Sequence, residues 1–117
     1  MAHRNIKSTA RDSFGDFAPA FVAYSEDVLF GDVWRREALA LRDRSLLTIA
    51  ALVAGGLSEQ LPYHLRLAEE NGLTPEELVE AITHLAFYTG WPRAASALSV
   101  AKAALASERS LRIPLSG

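Results

Sequence analysis

Glu59, Gln60 and His64 stand within one six-residue run, directly after an apolar stretch that breaks at Gly55-Gly56. An imidazole titrates near neutrality unless its surroundings shift it, so His64 is the natural acid–base group of the chain. Glu59, five positions earlier, could orient that imidazole or reach it through water. A short polar cluster delivered to an apolar wall can be an active site. It can equally be the solvated corner of a helical hairpin, because a histidine beside an apolar stripe is commonly a boundary residue. A glutamate in a first helical turn commonly offsets the helix dipole. His84 and Tyr88 form a second pair, one helical turn apart and side by side. Neither His64 nor His84 has a second histidine at an H-x-x-x-H spacing, and His3 stands alone, so no metal site is expected.

These side chains have to be positioned by helices. The stretch from Arg44 to Ala68 reads as an apolar helix, the Gly-Gly break, and a second helix. The first of these begins near Arg42 or Asp43, and Leu46, Leu47, Ile49, Ala50, Leu52, Val53 and Ala54 leave it almost no polar face. Such a helix should be buried all round, which is hard for so small a chain to achieve with its own residues. A subunit interface is therefore expected. The second helix spans about Ser58 to Asn71, with Leu61, Leu65 and Ala68 as its core stripe and His64 about 60° to one side of it.

Leu73-Thr74-Pro75-Glu76-Glu77-Leu78 gives a strong local signal: Thr74 as N-cap, Pro75 in the first turn, Glu77 completing a capping box, and Leu73 with Leu78 closing a hydrophobic staple. That helix runs to about Thr89, with Leu78, Ile82 and Leu85 toward the core. Gly90 breaks it, and Trp91-Pro92 opens a last helix rich in alanine, whose small side chains permit close approach of another helix. Toward the N-terminus, Phe17, Phe21, Tyr24 and Val28 recur at three- and four-residue steps and predict a helix from Asp16 to Leu29 capped by Asp16. Gly31 gives the following turn its backbone freedom, and Trp34 anchors the connection. Residues 1–15 lack periodicity and read as a flexible arm, 16–108 as one helical domain, and 109–117 as a loose tail. No strand is expected. The fold class is all-α, with about five to six helices.

Composition narrows the function classes. The chain has 117 residues, a net charge of −2 and no cysteine, so disulfides, thiolate metal sites and thiol catalysis are excluded. With a pI near 5.9 it carries no electrostatic footprint for nucleic acid or an anionic membrane. The helix after NGLTPEEL presents Glu76, Glu77 and Glu80 and would repel phosphate. The apolar run is too short to span a bilayer and no signal-peptide core opens the chain, so a cytoplasmic location is expected.

FGDVW at 30–34, LRDRSLLTIAAL at 41–52, E-x-L-P-Y-H at 59–64 and NGLTPEELVEAITHLAFYTGWPRAASAL at 71–98 occur in an order that resembles the carboxymuconolactone decarboxylase family. The resemblance is collinear from about Ala18 to Ala106 and is greatest to the small gamma-carboxymuconolactone decarboxylase subunits. It implies an alkylhydroperoxidase D-like helical subunit that assembles as a homo-oligomer, a trimer or hexamer, with sites near subunit boundaries. The redox branch of the family carries C-x-x-C-x-x-x-H. Counted back from His64, the two cysteine positions hold Leu57 and Gln60, so peroxidase chemistry is excluded. One departure stands out, for Glu37-Ala38 occupies the place of an expected Pro-Gly pair between Trp34 and Leu39.

The reaction implied is loss of CO2 from a small carboxylated lactone without a cofactor, since the electron pair left behind can delocalise into the conjugated carbonyl. It needs a cation for a substrate carboxylate, a donor for the developing enolate oxygen, and an acid to reprotonate carbon. Arg44, Arg35 or Arg36 could serve as the cation, with Arg44 the best placed because it opens the helix before His64. His64 is the candidate acid–base group with Glu59 beside it. Tyr88 or His84 could supply the oxyanion donor, and Trp34 is a candidate substrate contact or simply a packing residue. The competing reading is a non-catalytic oligomeric binding or scaffold protein on the same helical frame.

Overall fold

Apolar residues recurring at three- and four-residue steps produce helices throughout the computed structural model, which describes residues 9–112, with side chains through Leu105. Six α-helices occur among the described residues: α1 (Ala10–Phe14), α2 (Pro19–Ala23), α3 (Leu41–Gly55), α4 (Leu61–Glu70), α5 (Pro75–Thr89) and α6 (Trp91–Arg112). A π-helical stretch (Tyr24–Leu29) continues α2, and a 3-10 turn (Val33–Arg35) follows. The all-α expectation holds. By its internal contacts the chain divides between Leu41 and Arg42 into two compact units.

The second unit holds α3 to α6, with α6 packed against both α5 and α4. Ile49 and Val53 on α3, Leu61, Leu65 and Ala68 on α4, and Leu78 and Ile82 on α5 are buried in one cluster. Burying an aliphatic side chain of this size contributes about 1.5–3 kcal/mol each. On α6 the buried positions are Ala94, Ala97, Ala101, Ala104 and Leu105. A stripe of methyl groups lets the α6 backbone come close to its neighbours, as the alanine run predicted. The helix runs to Arg112, so residues 109–112 of the expected loose tail are helical. Ser45 is a buried polar group on α3, and the Asn71 amide at the end of α4 donates to its hydroxyl at 3.0 Å.

Around α5 the sequence signal is realised in full. Glu77 N–H donates to the Thr74 hydroxyl at 3.0 Å and Thr74 N–H donates to the Glu77 carboxylate at 3.0 Å. The other carboxylate oxygen accepts from Arg42 at 2.7 Å. The backbone bond from Thr74, followed by the Arg42 guanidinium, holds the Glu77 carboxyl below its usual range.

The first unit departs further from expectation. Residues 10–14, placed in the flexible arm, form α1, and Arg11 grips Glu26 through two hydrogen bonds of 2.9 and 2.6 Å. Asp16 caps no helix, since α2 starts at Pro19 with Ala18 at the cap position. The stripe Phe17, Phe21, Tyr24 and Val28 is exposed, Phe17 by 91%. The predicted continuous helix widens into a π turn in which Phe30 N–H donates to the Ser25 carbonyl, and the widened register ends the α-helical period. Gly31 has a negative φ and serves space instead of rotation: a Cβ there would lie 2.5 Å from the Glu26 carbonyl oxygen.

Candidate active site

Pro62 sits in the first turn of α4, where its missing N–H breaks no helical bond. Leu61, Leu65 and Ala68 then fix that helix inward, and the 3.6-residue period turns His64 to the margin of the buried stripe. The imidazole is half-buried, and burial pushes its pKa below the ordinary 6.5. Burial therefore favours its neutral form. The Tyr63 ring meets it edge-on, with centroids 5.0 Å apart at 85°. Burial, with a smaller contribution from Glu70, raises the Tyr63 phenol.

The other expected site residues are carried by separate elements of the chain. Glu59 lies in the link between α3 and α4, exposed and without a side-chain hydrogen bond or ion pair among the described residues. Arg44 is half-buried in the first turn of α3, and its carbonyl accepts from the Thr48 hydroxyl at 2.9 Å. His84 and Tyr88 do form a pair on α5: their rings stack at 5.0 Å and 28°, and both are exposed. Phe87 and Trp91 pack edge-on next to them at 5.6 Å. Trp34, in the first unit, is buried and stacked on Phe30 at 6.1 Å, an anchoring position that leaves little of its face for a substrate. His3 lies outside the described residues. Among the described residues, no three of His, Asp, Glu and Cys come together as metal ligands, and no helix is long and apolar enough to cross a membrane.

One group was not singled out from the sequence. A cavity of about 170 Å³ lies where the end of α3, the start of α4 and the first turns of α6 meet. Leu52, Val53, Leu61 and Ala97 line it with apolar surface, and Ser58, Ser96 and Arg93 supply its polar groups. Gly56 shapes it. Its φ is +69°, and a Cβ there would stand 2.6 Å from a terminal nitrogen of Arg93. The Gly-Gly break was visible in the sequence as a helix stop, but nothing local to it indicated that an arginine 37 positions later would use the space.

Comparison with known proteins gives this arrangement a context. The family model for the carboxymuconolactone decarboxylase family matches residues 19–103. A 4-carboxymuconolactone decarboxylase of Acinetobacter baylyi is 37% identical over 91 residues, 78% of this chain and 68% of that protein. A nitrosuccinic acid decarboxylase of Metarhizium robertsii is 38% identical over 71 residues, 61% of this chain and half of that protein. An uncharacterized 15.0 kDa protein of Paracoccus denitrificans is 36% identical over 92 residues, 77% of this chain and 69% of that one. The matched span runs from α2 into α6 and includes His64, His84, Tyr88 and Arg93. The chain belongs to the carboxymuconolactone decarboxylase family.

Proposed function

We propose that this protein is a cofactor-free decarboxylase of a small carboxylated lactone or related ring acid, with His64 moving the proton. The observation that carries the reading is a half-buried imidazole, lowered in pKa by burial, on the helix margin of a segment shared with decarboxylases. The names of two relatives support decarboxylation of a small activated acid, and the first of them supports a lactone. 4-Carboxymuconolactone and nitrosuccinic acid are both carboxylic acids in which the electron pair left by CO2 can pass into an electron-withdrawing neighbour.

In the proposed step the bond between the ring carbon and the departing carboxylate breaks, CO2 leaves, and its electron pair moves into the conjugated carbonyl as an enolate. Collapse of the enolate takes a proton onto carbon. Burial favours the neutral imidazole in the free protein, so the proton is taken up from solvent as the substrate binds: an anion beside His64 stabilises the imidazolium and opposes the effect of burial. Donation to carbon returns the imidazole to its neutral state. An apolar wall around the departing carboxylate favours its conversion to uncharged CO2. Glu59 is the candidate for orienting His64, and Arg44 the cation that the sequence offers for a retained carboxylate. His84 or Tyr88 is the candidate donor to the enolate oxygen.

The protein is also proposed to work as a homo-oligomer, because His84 and Tyr88 share an exposed face of the second unit with Phe87 and Trp91. A second copy covering that face would enclose the candidate oxyanion donors.

Incubation of the purified protein with 4-carboxymuconolactone tests the reaction. The expected result is CO2 release at one equivalent per lactone consumed, with kcat/KM lowered about 100-fold or more in a folded His64→Ala variant. A wild-type protein that consumes no lactone, or a variant as active as wild type, refutes it.

A further inference from the structure

We propose that Arg93 is the carboxylate anchor of this site, and that the cavity beneath it receives the ring of a small planar acid. The inference names the binding half of the reaction above and rests on that reading for the identity of the acid, but its physical basis is separate. At about 170 Å³ the cavity has room for a ring the size of benzene, and it opens to solvent on the side where Arg93 and Ser96 are exposed. Leu52, Leu61 and Ala97 give the ring apolar walls.

The polar end of the cavity is specific in kind. Arg11 and Arg42 are neutralised by Glu26 and Glu77, whereas Arg93 has no carboxylate partner among the described residues. Ser58 and Ser96 line the same space, and neither hydroxyl is used in a hydrogen bond among the described residues. A guanidinium offers paired parallel donors that match a carboxylate, and two hydroxyls beside it can satisfy the remaining lone pairs. A neutral ring lacks that match.

Gly56 is what lets the guanidinium sit there. Any Cβ at that position would lie 2.6 Å from the Arg93 Nη1 atom, on a backbone whose φ of +69° already disfavours side chains. The cavity also bears on the chemistry. Leu61 forms its wall from α4, and His64 follows three residues later, about 4.5 Å along the helix and about 60° around it. His64 does not itself line the cavity, and its link to a ring held there on Arg93 runs through helix α4, which carries both Leu61 and the imidazole. In this arrangement Arg93, and not Arg44, holds the carboxylate that is retained.

Furan-2-carboxylate, a planar five-membered ring acid with nothing to lose on binding, is the probe. Calorimetric titration is expected to show binding to wild type, weakened about tenfold or more by Arg93→Gln and partly restored by Arg93→Lys. Furan-2-carboxamide is expected to bind weakly and equally to all three. With 4-carboxymuconolactone, Arg93→Gln should raise KM by a similar factor with a smaller change in kcat, the mark of an interaction made before the transition state. Circular dichroism confirms that each variant is folded. Furan-2-carboxylate that fails to bind, or binds equally to wild type and Arg93→Gln, overturns the proposal. The two readings fail separately. Binding through Arg93 without turnover refutes the decarboxylase and leaves the anchor standing, whereas turnover indifferent to Arg93→Gln refutes the anchor and leaves the decarboxylase.

Discussion

His64 carries both a catalytic proposal and a stability consequence, and the two have the same physical origin. Burial holds its pKa below 6.5 in the folded chain, so between the folded value and 6.5 the unfolded chain binds more protons. Stability therefore rises with pH across that window and is lost as pH falls through it. Above 6.5 both states carry a neutral imidazole, and below the folded value the penalty is complete. The urea midpoint at 25 °C should accordingly decline between pH 7.5 and 5.5, and His64→Gln should decline less over the same range. Equal slopes would show that the imidazole is not held in a desolvating environment. The carboxyls of Glu26 and Glu77 act in a different window, because hydrogen-bonded guanidinium and backbone groups lower them from 4.5. Their contribution is present above that value and disappears at more acid pH, clear of the range in which His64 titrates.

At the scale of elements, the α5 entrance is where sequence and structure agree most closely. Thr74→Ala removes the hydroxyl that accepts Glu77 N–H and leaves that donor without its partner. Loss of an N-cap of this kind costs about 1 kcal/mol, and thermal unfolding should fall by a few degrees with the fold retained. An unchanged midpoint would mean that water replaces the cap at no cost. The box was legible because all of its parts lie within four residues, and the core stripe of α4 was legible because one helix period contains it. The first unit was not. Phe17, Phe21 and Tyr24 have the spacing of a buried stripe, but α-helical geometry lasts only from Pro19 to Ala23 before the π turn changes the period. Gly31 was read as a rotational need, and the structure shows a steric one, set by a carbonyl five residues away. Arg93 was missed for the same kind of reason. Its role depends on Gly56, on Leu61 and on the meeting of three helices, and no window of sequence contains them together. The place of His64 on the helix margin was legible because the helix period alone fixes it.

Taken as a whole, the molecule has more apolar surface than one copy covers. The sequence predicted an α3 buried all round, but in the single chain only Ser45, Ile49 and Val53 of that helix are fully buried, and Leu47 is 63% exposed. At the junction of α5 and α6, Phe87, Tyr88 and Trp91 are exposed by 75%, 77% and 64%. Aromatic side chains left contiguous in water are the mark of an interaction surface, and an α3 with so little polar surface makes the same demand. A second copy of the chain is the occupant proposed for these faces, and the proposal fixes a mass. Light scattering at micromolar concentration should give an integer multiple of 12.7 kDa. Replacing Phe87 and Trp91 together by serine should shift that mass toward the single chain while α-helical ellipticity is retained, because neither side chain belongs to the buried cluster. If His84 and Tyr88 are enclosed by the partner, the dissociated variant should also lose lactone turnover, with substrate binding at Arg93 much less affected. A wild-type mass of one chain would refute the assembly, and a dissociated variant that keeps full turnover would place the whole reaction within one subunit.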